Sequence, residues 1–243
     1  MVRAKSQLAV VLDDTPAEEC RMEFRLLYSG RILGASRTDT RAALKHQIRR
    51  EFHPQLRRLW QTNLSLRRML KFMGTYYFDK QHPRDYNLQN LGAPPDVDEA
   101  EEFYRDFATE VILKQWARCG YRFWPLVTEE HSLKCSLDIL FLRPEEPGML
   151  VRSGDIDGRI KTIFDALRMP SNLAEAGGDG PQTDEDPFFC LLQDDKMISE
   201  IKVTTDSLLL LPQERDMKPN DAFLVIHVKL WPTESSGWNW AFA

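Results

Sequence analysis

The stretch RSGDIDGRIKTIFDALRMP, residues 152–170, decides how the rest of the chain is read. Ile160, Ile163, Phe164 and Leu167 recur at helical spacing, which predicts an amphipathic helix from about Asp157 to Arg168 with one buried side. Asp155 and Asp157 stand at its mouth. Residues two apart in an extended segment point to the same side, whereas two apart on a helix they diverge by about 200°. With extended backbone at Asp155 and helix from Asp157, both carboxylates face one point just off the helix N-terminus. Lys161 lies one turn further in, and a second acidic pair, Asp194 and Asp195, follows in LLQDDKM, residues 191–197.

This set has a chemical reading and a structural one. Two hard oxygen ligands at a helix mouth, joined by Asp195 from a strand entrance, suit Mg²⁺, with Mn²⁺ as a substitute. Such an ion takes a few carboxylates together with water and substrate phosphate. It polarises a phosphodiester and makes a nucleophile of its bound water, while Lys161 neutralises charge on the phosphate or holds the attacking water. The structural reading is plainer. Aspartate at a helix start caps free N–H groups, Asp157, Lys161 and Asp165 are spaced as a surface ion-pair ladder, and aspartate pairs are common in turns before strands.

Around this helix the pattern is mixed. MEFRLLY, residues 22–28, and LKCSLDILFL, residues 133–142, alternate as half-buried strands. AFLVIHVKLW, residues 222–231, and MISEIKVT, residues 197–204, read as two more. Leu44, Ile48 and Phe52 predict a helix with a basic outer face that ends or kinks at His53 before Pro54. A short helical pattern, LSLRRMLKFM, residues 64–73, follows. TYYFDKQHPRDYNLQNLGAPPD, residues 75–96, has no period and predicts a long loop; Phe103, Phe107 and Val111 then mark a helix from about Pro94 to Cys119. The fold class expected is α/β or α+β, a mixed sheet with helices on one side. Residues 1–20 form an N-terminal extension to a single domain, 21–243, which carries an insertion at about 61–131 and an acidic, mobile loop at about 171–190.

Composition narrows the function. The chain has 243 residues and a net charge of −5, which disfavours a protein that merely coats nucleic acid. Charge is unevenly distributed, however: from Arg41 to Lys71 there are nine Lys or Arg and one acid, Glu51. Lys45, Arg49, Arg50, Arg57 and Arg58 are therefore candidate DNA contacts, with Arg152 and Arg159 beside the aspartates; the plainer alternative is a solvated basic face. Tyr76, Tyr77 and Phe78 fit local core better than base stacking. The four cysteines lack zinc-ligand or disulfide spacing and read as free thiols, and no histidine pair suggests a metal. LAVVL, residues 8–12, is too short for a secretory signal and no run spans a membrane, so a cytoplasmic protein is expected. No Gly-rich phosphate loop or G-x-S-x-G elbow occurs, which disfavours a nucleotide-driven motor or a serine hydrolase.

GDIDGRIKTIFDALRMP followed by LLQDDKMISEIKV resembles the signature of RusA-like endodeoxyribonucleases, the Holliday junction resolvase family. The likeness extends loosely over residues 22–58 and more firmly over 132–231. It implies a small homodimer of mixed α/β fold that uses Mg²⁺-bound aspartates to nick branched DNA, in recombination and repair. The implied metal ligands are Asp155, Asp157 and Asp195, the catalytic lysine is Lys161, and Asp194 is the less critical member of its pair. Gly158 stands where the family carries Asn. That substitution, the acidic loop and the negative net charge motivate an alternative: a RusA-like scaffold that binds nucleic acid or protein, in phage or mobile-element biology, without efficient catalysis.

Overall fold

The computed structural model describes residues 22–34, 39–81, 97–144, 156–178, 180–209, 220–234 and 239. Its elements are β1 (Met22–Arg31), α1 (Asp39–Thr62), α2 (Leu64–Gln81), α3 (Val97–Gln115), β2 (Ala117–Arg118), β3 (Tyr121–Val127), β4 (Leu133–Arg143), α4 (Ile156–Leu167), β5 (Phe188–Leu192), β6 (Ile198–Ser207) and β7 (Asp221–Pro232). The class is α+β, built on two mixed sheets. A four-stranded sheet has the order β1-β7-β4-β6, and a three-stranded one the order β2-β3-β5. No described helix is long and apolar enough to cross a membrane.

Alternation in the four strands gives the larger sheet one buried face. Leu133, Cys135, Leu137, Ile139 and Phe141 of β4 are buried beside Ala222, Leu224, Ile226, Val228 and Leu230 of β7. Met22, Leu26 and Tyr28 of β1 extend this layer, and Ile48, Phe52, Ile163 and Leu167 from α1 and α4 complete the core against it. The opposite face is more open and mixed: Leu27, Leu140, Leu142, Phe223, Val225 and Trp231 stand on it among polar residues, with Glu23 bonded to His227 and Lys202 to Asp138 across neighbouring strands. β4 runs parallel to β6, with Ile139 opposite Val203 and Arg143 opposite Ser207, and α4 lies in the connection between them.

Several local expectations change. Instead of ending at His53, α1 continues through Pro54 to Thr62, because Phe52, Leu56 and Trp60 keep burying one stripe while Pro54 sits on the exposed side. Proline removes one helical hydrogen bond, and here the apolar stripe outweighs that loss. Residues 75–81, expected as loop, form the end of α2, where Phe78 packs against Phe103 and Phe107 of α3. β3 and β5 were not expected. They read FWPLV and FFCLL rather than alternating because both of their faces are buried. One face joins the main core through Trp124, Leu126 and Leu191; the other forms a smaller cluster of Tyr121, Phe123, Met169, Ala176, Phe188 and Cys190. The region 61–131 is thus tied into the sheet system.

The acidic loop is also anchored. Glu185 is 3% exposed and receives the Arg50 guanidinium and the Gln182 N–H. His53 fixes the same loop. Its Nδ1 accepts from the Phe189 N–H at 2.9 Å, and its Nε2–H donates to the Asp184 carbonyl at 3.0 Å, a pattern only the neutral ring satisfies. Burial holds the His53 and His131 pKa values below the ordinary histidine value.

Both histidines are therefore neutral when folded but take up a proton near pH 6.5 when unfolded. Their contribution is present above about pH 6.5 and is lost as pH falls toward the depressed folded values. Urea denaturation at pH 7.5 and 5.5 is expected to show a loss of up to about 1.4 kcal/mol for each histidine at the lower pH. An unchanged or higher midpoint at pH 5.5 would refute this.

Candidate functional site

α4 forms because its apolar residues share one side, and its first turn carries Asp157, which complements the helix dipole. Inward residues are tied to the scaffold. The Arg159 guanidinium donates to the Ile32 carbonyl at 3.1 Å and the Asn220 side-chain oxygen at 2.6 Å, and the Thr162 hydroxyl to the Leu33 carbonyl at 2.8 Å. Asp157 and Lys161 lie outward, exposed, and make no hydrogen bond or ion pair among the described residues. The ion-pair ladder expected along 157, 161 and 165 is not formed. Asp165 is instead buried and bonded to Lys45 at 2.6 Å and Arg168 at 3.3 Å. Asp155 and Arg152 lie outside the described residues.

The second acidic pair is shaped by its turn. Asp194 caps the 3-10 turn Asp195–Met197, accepting the Lys196 N–H at 3.1 Å, and that bond holds its carboxyl below the usual range. Asp195 is exposed. This turn sits where β6 begins, with Ile198 opposite Cys135 and Lys134 donating to the Lys196 carbonyl. The other end of the helix is placed by Arg159, at the end of the sheet where β1 finishes and β7 starts. Met169, just past α4, bonds the Leu192 carbonyl, two residues before Asp194. Asp157 and Asp195 therefore lie at opposite ends of α4, whose 12 residues span about 18 Å.

Carboxylates sharing Mg²⁺ must each come within about 2.1 Å of it, so Asp157 and Asp195 of one chain cannot bind the same ion in this arrangement. Among the described residues no group of three His, Cys, Asp or Glu is placed to hold a metal. Asp157 and Lys161 are brought together on one helix face; Asp195 is not brought to them.

Three of the five candidate contacts on the basic helix, and Arg159 of α4, are engaged within the fold. Arg49 is 2% exposed, and burial pulls its pKa down to about 10. Its guanidinium donates to the carbonyls of Asp165 at 2.7 Å, Arg168 at 3.2 Å and Glu175 at 3.2 Å, so it is not available to DNA. Lys45 is held by Asp165 and Arg50 by Glu185. Arg159 is buried between Ile32 and Asn220. Only Arg57 and Arg58 of the α1 candidates are exposed. Sequence spacing could not reveal these roles, because the partners lie 61–135 positions away.

Comparison of the chain with protein-family models, curated proteins and solved structures finds no match.

Arg49→Gln and Arg159→Gln each leave buried carbonyls without a donor and are expected to cost on the order of 2–4 kcal/mol of stability. Arg57→Gln and Arg58→Gln, on the exposed face, are expected to stay within about 0.5 kcal/mol. Chemical denaturation of the four variants checks this, and equal losses in both sets would contradict the assignment.

Proposed function

We propose that the chain is a RusA-like, Mg²⁺-dependent endonuclease acting on branched DNA as a homodimer. One observation carries the reading. Of the charged residues of α4, only the two that match the catalytic pattern, Asp157 and Lys161, are left exposed and unengaged among the described residues, while Arg159 and Asp165 are buried and bonded. An exposed acid and lysine one helical turn apart, with no structural partner, are suited to a phosphate and its counterion.

Separation of Asp157 from Asp195 gives the dimer a chemical purpose. In a two-fold pair each surface patch meets its counterpart reciprocally. Two α4 helices laid antiparallel bring the Asp157 end of one copy beside the Asp195 turn of the other, so each of two sites draws on both chains. Lys161 then offsets charge on the scissile phosphate. The second reading, a RusA-like scaffold that binds without cutting, is favoured by Gly158 in place of the family's Asn and by the separation of Asp157 from Asp195 within one chain.

The test is nicking of labelled four-way junction, flap, fork, duplex and single-stranded DNA with Mg²⁺ or EDTA. Asp157→Asn and Asp195→Asn are each expected to lower the rate by at least about 100-fold. Mixing the two inactive variants regenerates one intact site per mixed dimer, so part of the activity returns. Inactivity that mixing does not relieve would place the site within one chain, and intact binding with no cleavage by wild type would leave the scaffold reading.

A further inference from the structure

A cleft of about 410 Å³ opens where α1, α2 and α3 meet β3 and β5. Three arginines from three different helices line it: Arg57 of α1, Arg67 of α2 and Arg105 of α3. Asp106 is the single carboxylate among the described lining residues. The guanidinium groups of Arg57 and Arg105 make no hydrogen bond or ion pair among those residues. The floor is aromatic. Trp124 and Phe189 stack with ring centres 5.1 Å apart, and Trp60 lies 5.2 Å from Trp124.

Trp60 and Trp124 are 3% and 6% exposed, so they offer the cleft ring surface while their indole nitrogens are covered. Cations around the rim ask for a ligand rich in acceptor oxygens and negative charge. Guanidinium forks match phosphate geometry, and an apolar floor suits the sugar and base attached to it.

We propose that this cleft binds the phosphate of a nucleotide unit, supplied by an unpaired DNA strand passing between α1, α2 and α3. The inference extends the nucleic-acid reading, and it uses none of the residues at the two ends of α4. It also assigns a role within 61–131, the region that the family signature does not cover.

Fluorescence anisotropy of labelled dT12 in EDTA, where no cutting occurs, tests it. Arg57→Gln and Arg105→Gln are each expected to weaken binding about five- to tenfold and the double variant more. The slope of log affinity against log salt should fall by about 0.7 for each lost contact. Arg25→Gln, on the open sheet face, serves as the control and should bind as wild type. Arg57→Lys with Arg105→Lys keeps the charge and loses the fork; intermediate binding separates phosphate recognition from a folding defect. Displacement of dT12 by dTMP or inorganic phosphate at matched phosphate concentration would show that the cleft takes free phosphates, and failure to displace would show that it needs the strand. Wild-type binding by the double glutamine variant, or no binding of dT12, dTMP or phosphate by wild type, would overturn the inference. Because no cleavage is read, an inactive wild type in the nicking assay leaves this result standing, and the converse also holds.

Discussion

The buried guanidinium of Arg49 is the constraint on which the arrangement around α4 depends. A helix ends with carbonyls that have no partner inside the helix, and those of α4 end in the interior. Arg49 supplies donors to Asp165 and Arg168 there and to Glu175 in the loop beyond, placing a positive charge at the negative end of the helix dipole. Lys45 and Arg168 converge on the Asp165 carboxylate beside it. One face of α1 thereby fixes the C-terminal end of α4 and the start of the acidic loop, and Arg50 and His53 secure that loop's far end. Within the basic run, Arg49 and Arg50 are thus turned inward to hold the acidic loop, and Lys45 to hold α4.

Rigid anchoring on the inner side of α4 is what leaves its outer side interpretable. Arg159 and Thr162 lock the N-terminal half to the end of β1 and the entrance of β7, so the positions of Asp157 and Lys161 follow from the scaffold rather than from a loop. At the far end the 3-10 turn, capped by Asp194, presents Asp195. Two acidic positions are thus held at fixed places about one helix length apart, and a single chain has no means of closing that distance without dismantling the contacts that define both ends.

Much of the fold was legible in the sequence where burial is one-sided. β1, β4 and α4 each carry a clear period because each has one more open face, while β7, apolar from 222 to 226, was legible by its continuous apolar run. Legibility failed where periodicity carries no information. β3 and β5 are buried on both faces and lack alternation, and the Pro54 signal was overridden by a stripe of three large apolar residues that continues past it. The candidate site was legible as residues but not as geometry. Exposure of Asp157 and Lys161 follows from the helical pattern that buries Ile163 and Leu167. Their separation from Asp195 depends on which end of the sheet receives β6, and no local spacing reports that. The burial of Arg49 and Arg159 depends on partners more than a hundred positions away in the first case and on the β1 and β7 termini in the second.

The order of strands has a consequence for how the chain reaches this state. β7, the last strand described, lies between β1 and β4, pairing Met22 with Leu230 on one side and Leu133 with Pro232 on the other. During synthesis from the N-terminus, β1 and β4 therefore emerge with the strand that joins them still missing, and both present open edges and apolar faces. The larger sheet closes only when β7 arrives. Its formation is a late, long-range step rather than a gradual accretion, and the unfinished chain is the stage most exposed to aggregation.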